Sequence, residues 1–419
     1  MSTMYPPSLV SGPINIVRLE GSVGNVTKIL YLYFDFHMPL QTQTECEDAI
    51  NSLPIVQHLI SMFKECYEHD PNKKYHLFAE YHPFYKPSLI NYGKSEIHII
   101  NVVKLVKNIF SINKDNMKII RKNTEDFHNV YFHYTDFRKV YFPPEMDTLT
   151  NLMFNVTYAP ECCIMAQQIL LLKNGLEVLN KFTTILYQTL IKGVNLYAEI
   201  DSKTMIDQTY NLPDYFVIVM RDFIKKIRDL YQNPSIKEGI LNILSMDYGV
   251  QIEKRMQKLL NFIQESNKFI ENPILQDPRS LYLESRYRHN SISLYRKGGR
   301  TDEDMKELLN YKIATTDLIW DVFSDINLMD IYVLRRFLDK TYVGTGIFYS
   351  GADHSVNVIR YLVKYFGFTV THASYHSGPL DKINQEIKQS TSYENLHDYF
   401  FPKVDTQCSD MSTFPKFYE

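Results

Sequence analysis

Long apolar runs are missing from this chain. No stretch of about 20 apolar residues occurs, so no membrane-spanning helix is expected. An excess of charge of one sign is missing too. With 45 Lys+Arg against 48 Asp+Glu the formal net charge is -3, which gives no strong case for nucleic acid or an anionic membrane as partner. The five cysteines (Cys46, Cys66, Cys162, Cys163 and Cys408) show no CxxC spacing. That pattern argues against a zinc ribbon or a disulfide framework and suits a reducing, intracellular compartment. The start, MSTMYPPSLVSGP, has neither the basic opening nor the apolar core of a signal peptide. Tryptophan is single and glycine sparse, at 15 residues. There is no P-loop, no GxGxxG and no internal repeat, so the nucleotide-binding signatures are absent.

What is present fits a soluble globular protein. The chain has 419 residues, 45% hydrophobic and 22% charged, enough for two or three lobes. Tyrosine (31) and phenylalanine (25) are abundant, and the Ile/Asn/Lys/Tyr bias is that of an AT-rich genome.

The stretch Gly344 to Tyr375 is the most informative. Gly346-Ile347-Phe348-Tyr349-Ser350 reads as a buried strand. A small-residue turn, Gly351-Ala352-Asp353-His354, leads into a helix whose apolar face carries Val356, Ile359, Leu362, Val363 and Phe366. Gly367 suits the helix stop and Phe368 to Thr371 the next strand. Taken alone, Asp353 is an N-cap and His354 a solvated neighbour. Three earlier strands end in the same manner. The run from Lys28 closes in Asp35-Phe36-His37, the run from Lys74 in Glu80-Tyr81-His82, and the run from Asn129 in Asp136-Phe137-Arg138. On neighbouring parallel strands these four ends converge on one sheet edge, where ligands of open α/β sheets bind.

Between the strands, Ile55 to Tyr67 and Glu96 to Phe110 have helical apolar spacing, and Pro13 to Leu19 pairs with the Lys28 strand across a Gly24-Asn25 turn. The chain then changes character. Residues 146–325 are dominated by helical patterns (Cys163 to Asn174, Val178 to Ile200, Asp214 to Tyr231, Val250 to Phe269), followed by a basic stretch, Arg279 to Arg300, that reads as a solvated loop. The fold class expected is α/β, a mainly parallel sheet with flanking helices interrupted by a large helical insertion. Residues 13–145 and 326–378 form the two parts of the core, 146–325 the insertion, and 379–419 a polar surface tail.

The motifs resemble the erythromycin-esterase/TraB/Tiki/ChaN-like superfamily, in the form of uncharacterised giant-virus proteins. Gly351-Ala352-Asp353-His354 is similar to the family's second GxxH motif, Phe34-Asp35-Phe36-His37 stands in place of the first, Glu80 in place of its acid, and Asp136-Phe137-Arg138 in place of its Arg motif. Phe34 departs from the family's glycine. The resemblance implies a hydrolase of an ester or peptide bond, with catalytic His37, Glu80, Arg138 and His354 supported by Asp35, Asp136 and Asp353. Two forms of chemistry follow. His37, Glu80 and His354 bind a divalent metal whose water attacks a carbonyl, or His37 is a general base without metal. Arg138 holds a substrate carboxylate or the oxyanion. The substrate would be a small molecule or peptide, and the location the host cytoplasm or virion. The other class of reading, favoured by Phe34, is a catalytically degenerate structural or host-interaction protein of a virus.

Overall fold

The computed structural model describes residues 8–36, 45–48, 50–80, 98–113, 118–122, 127–136, 149, 152–153, 155–157, 166–193, 223–271, 302–323, 326–403 and 406–419. The chain divides into two compact units, one of residues 1–137, 230–243 and 326–419, the other of 138–229 and 244–325.

The first unit is built on strands β1 (Leu9–Ser11), β2 (Asn15–Val23), β3 (Val26–Asp35), β4 (Ser52–Pro54), β5 (Tyr75–Ala79), β6 (Phe110–Ile112), β7 (Ile119–Arg121), β8 (Val130–Tyr134), β9 (Thr345–Gly351), β10 (Thr369–Ala373) and β11 (Cys408–Asp410). Its main sheet has the order β10-β2-β3-β9-β5-β8. β3, β9, β5 and β8 are joined by parallel pairings, whereas β2 runs antiparallel to both β3 and β10. The sheet is therefore mixed, and the expectation of a mainly parallel sheet gives way to a parallel half with an antiparallel strand inserted beside it. The cause is local. Gly24, at φ +58°, closes a two-residue turn that folds β2 directly back on β3. The β10 strand lies beyond β2, at the edge of the sheet.

Helices α1 (Ile55–His69) and α2 (His98–Ile109) cover one face of this sheet. Leu59, Met62 and Phe63 of α1 and Val102 and Val106 of α2 form one core with Tyr31, Tyr33, Tyr75, Leu77, Ile347 and Tyr349. The strand tyrosines are tolerated there because their hydroxyls find partners. Tyr33 meets His58 Nε2 at 3.0 Å, and Tyr31 accepts from Arg18 Nε at 3.2 Å.

In the second unit, helices α3 (Ala166–Leu186), α5 (Gly249–Glu271) and α6 (Asp302–Phe323) pack through Leu172, Leu176, Ile252, Leu259 and Tyr311. The α3 helix runs unbroken across the boundary expected near Asn174. Tyr311 seats its ring 4.7 Å from Phe262 and shares a hydrogen bond with Ser266 at 2.9 Å. The 230–243 segment, α4 (Pro234–Ile243) included, belongs to the first unit although the sequence assigns it to the helical insertion. Its start is held by Asp339, whose carboxylate accepts the backbone N–H groups of Gln232 and Asn233 at 2.7 and 2.9 Å. The Arg279 to Arg300 stretch and the first half of Asp214 to Tyr231 lie outside the described residues.

The other face of the sheet is covered by α7 (Ile326–Leu338) and α8 (Ala352–Phe366). Gly367, in the left-handed region at φ +69°, stops α8 as its sequence predicts. The burial of α8 is wider than one face. Val356, Ile359 and Leu362 are buried, and so are Asn357 and Arg360, because α4, α7 and the following helix α9 (Leu380–Gln389) surround it. At the opposite end of the sheet, Lys28 donates to the carbonyl oxygens of Phe337, Lys340 and Val343 at 2.9, 2.9 and 2.6 Å. Burial pushes its ammonium down to about 8, still charged at neutral pH, and the three carbonyls use all three protons.

Residues 379–419 differ from the expected surface tail. Ile383 and Ile387 of α9 are buried, β11 pairs with β1, and Phe417 places its ring 4.1 Å from Tyr31. Alternating polar residues hid these few anchors. The cysteine reading is corrected as well, since Cys46 and Cys408 form a disulfide across 362 positions of sequence. Spacing along the chain carries no signal at that separation. Among the described residues no helix is long and apolar enough to cross a membrane.

Two stability outcomes follow. Leu362→Ala empties a fully buried site and is expected to lower unfolding free energy by about 2–5 kcal/mol in urea titration. Cys408→Ser, or reduction of the wild type, should cost about 2–5 kcal/mol and lower the thermal midpoint under non-reducing conditions. An unchanged midpoint would show that the crosslink is not formed in solution.

Candidate functional site

The parallel half of the sheet brings three strand ends together. Asp35 closes β3 opposite Gly351 of β9, and Glu80 follows the last residue of β5 on the other side. Glu80 is fixed twice. Its backbone N–H donates to Tyr349 O at 3.0 Å, and its Oε2 accepts the Gly351 N–H at 2.8 Å. Gly351 is the N-cap of α8, so the carboxylate sits at the positive end of that helix, where negative charge is favoured. Asp35, also buried, accepts the Tyr349 hydroxyl at 2.7 Å. Burial, then that carboxylate, holds the Tyr349 phenol well above its ordinary range and keeps it a donor.

His354 stands in the first turn of α8 between two acids. Its Nε2 is 3.7 Å from Glu80 Oε1, and its Nδ1 is 2.7 Å from Asp330 Oδ1 on α7. Asn357, one turn further along α8, donates from Nδ2 to Asp330 Oδ2 at 2.7 Å. Asp330 has no exposed surface. Burial pushes its carboxyl up to about 6, while the charge and hydrogen bond of His354 and the amide of Asn357 pull it back. At neutral pH the carboxylate is ionised and accepts only, so His354 carries a proton on Nδ1 and turns Nε2 toward Glu80.

Of the residues singled out in the sequence, Glu80 and His354 thus meet, with Asp35 at the adjoining strand end. Asp353 turns elsewhere and pairs with His397 Nε2 at 3.0 Å. Asp136 follows β8 in a half-buried position. His37 and Arg138 lie outside the described residues, as does His82. Phe34, the departure from the glycine of the GxxH pattern, is buried with its ring 6.5 and 6.3 Å from Phe400 and Phe401. Its bulk is spent on packing against the C-terminal segment.

Asp330 and Asn357 were missed. The signal for Asp330 was a lone carboxylate inside Leu328-Met329-Asp330-Ile331, where the helix pattern predicts an apolar neighbourhood. Asn357 follows His354 by three positions and so shares its helix face.

Among the described residues no group of three or more His, Cys, Asp or Glu side chains is arranged to hold a metal. Glu80 Oε1 and His354 Nε2 are nonetheless a compatible pair of donors. Two ligands each about 2.0–2.2 Å from one ion lie within roughly 4 Å of each other, and a His whose other nitrogen bonds a carboxylate is the usual form of a ligating imidazole.

A mixed α/β unit with a buried carboxylate–histidine–carboxylate chain at its sheet edge is the class of protein defined by these observations. The chain belongs to a family of unknown function, DUF5847, matched over residues 8–419. Its relatives include three proteins of Acanthamoeba polyphaga mimivirus. R161 is 28% identical over 98% of both chains, R706 is 30% identical over 98% of this chain and 97% of its own, and R160 is 30% identical over 97% and 96%. All three carry the description uncharacterized protein. No solved structure matches the chain.

The buried pair makes a direct prediction. His354→Leu leaves the fully buried Asp330 without the N–H that it accepts from. It should destabilise the fold by about 2–4 kcal/mol at pH 8, with a smaller loss at pH 5, where Asp330 can protonate. Equal losses at both pH values in urea titration would show that packing, not charge, is at stake.

Proposed function

We propose that the protein is a hydrolase acting on an ester or peptide bond, with His354 as general base. The observation that carries this reading is the Asp330–His354–Glu80 chain. Asp330 fixes the ring and its tautomer from one side, as the third member of a catalytic triad does, and Nε2 opens toward the sheet edge. One water can hydrogen-bond both Nε2 and Glu80 Oε1 across their 3.7 Å separation. The water gives its proton to Nε2 as its oxygen attacks the carbonyl carbon. Asp330 stabilises the imidazolium, which then protonates the departing alcohol or amine. The resemblance of Gly351 to His354, Glu80 and Asp136 to Arg138 to the erythromycin-esterase/TraB-like motifs supports the same chemistry, with Arg138 assigned to the oxyanion or a substrate carboxylate.

A divalent metal is compatible with this site. Glu80 Oε1 and His354 Nε2 would hold it together with His37, and the ion would supply an activated water at neutral pH. The viral relatives support a place of action inside the infected host cell or the virion.

The test is hydrolysis by the purified protein on ester and peptide libraries, with and without added Zn²⁺ or Mn²⁺. His354→Asn and Glu80→Gln keep shape and remove the base or the acid. Each should lower kcat/KM by about 10²–10⁴-fold. In the wild type kcat/KM should rise with pH through about 6 as Asp330 ionises, and Asp330→Asn should abolish that dependence. A wild type that hydrolyses nothing under any of these conditions ends the enzyme reading in favour of a binding or structural viral protein.

A further inference from the structure

Beyond the hydrolytic site, a cavity of about 680 Å³ runs along β8 at the edge of the main sheet. Residues Phe110, Lys118 and Arg121 of the β6–β7 region line one side, and Tyr332 and Arg336 of α7 the other. Its volume is that of a metabolite-sized ligand. Its charge is one-sided. Lys118, Arg121 and Arg336 are cationic, and the described lining contains no carboxylate.

We infer that this cavity binds a small phosphate-bearing molecule. Arg336 is the centre of the argument. It is half-buried, it forms no ion pair among the described residues, and its hydrogen bond goes to a neutral partner, His133 Nδ1, at 3.4 Å. A guanidinium removed from water in this way gains most from an anion that meets its planar fork. His133 accepts from Arg336 through Nδ1 and adds no positive charge of its own. It shares a hydrogen bond with buried His76 at 2.9 Å, and burial, followed by the Arg336 charge, holds it neutral. Around Arg336 stand phenols that act as donors. Burial pushes Tyr134 up to about 12 and raises Tyr332, so both keep their protons at physiological pH. Arg121 adds its charge while bracing the strand, donating to the carbonyl oxygens of His128 and Val130 at 2.7 and 2.5 Å. Three cations on two walls suit several negative charges on one ligand, which phosphate groups carry and a monocarboxylate does not.

The experiment is isothermal titration of the full-length protein with sodium pyrophosphate at low ionic strength, with tricarballylate as a carboxylate of similar charge. Pyrophosphate is expected to bind and tricarballylate to bind more weakly. Arg336→Gln should weaken pyrophosphate by roughly tenfold or more. Lys118→Gln and Tyr332→Phe, which disturb packing less, should weaken it measurably with unchanged thermal midpoints. His354→Asn should leave it unchanged, which separates this cavity from the proposed hydrolytic site. Absence of pyrophosphate binding at millimolar concentration, or binding unaltered in Lys118→Gln and Tyr332→Phe, overturns the inference. Tricarballylate binding as tightly as pyrophosphate overturns the phosphate class.

Discussion

A carboxylate without exposed surface must be compensated, and the arrangement around Asp330 is governed by that constraint. Its two oxygens take His354 and Asn357, three positions apart on α8. This pairing sets the rotation of α8 about its axis and its register against α7. The same rotation directs His354 Nε2 to Glu80 and places the Gly351 N–H where Glu80 Oε2 can accept it. Helix packing, strand register and site geometry are therefore coupled through one buried charge.

The main sheet is closed by segments far from it in sequence. Lys28 gathers three carbonyls from the end of α7 and the turn that leads into β9. Asp339 in that turn holds the start of α4, which arrives from the middle of the helical region. On the face covered by α1, the C-terminal residues pack on Tyr31, and Lys73 donates to the Tyr418 carbonyl at 2.7 Å. Each contact satisfies a buried polar group as well as covering apolar surface, so sheet and segment specify each other.

Two polar centres of unlike charge result. The edge at Gly351 sets His354 between Glu80 and Asp330, whereas the cavity along β8 gathers cations and phenols. Arg336 and Asp330 both belong to α7, six positions apart, and that helix contributes to both.

The sequence by itself determined the strands that end in acids, the helix after Gly351 with its glycine stop, and the placing of Glu80 and His354 at the ends of strands. Those features follow from periodicity, local turn chemistry and the rule that parallel strands present their ends on one side. What only the tertiary structure decided are features set by contacts between distant positions. The docking of β10 beyond β2 is a long-range pairing that strand periodicity does not encode. The Cys46–Cys408 link and the anchoring of the C-terminal segment join positions whose spacing carries no pattern. Asp330 read as one polar residue in an apolar helix until packing of α7 on α8 gave it His354. A side chain's chemistry is written in the sequence, but its charge state and role depend on which neighbours burial leaves it.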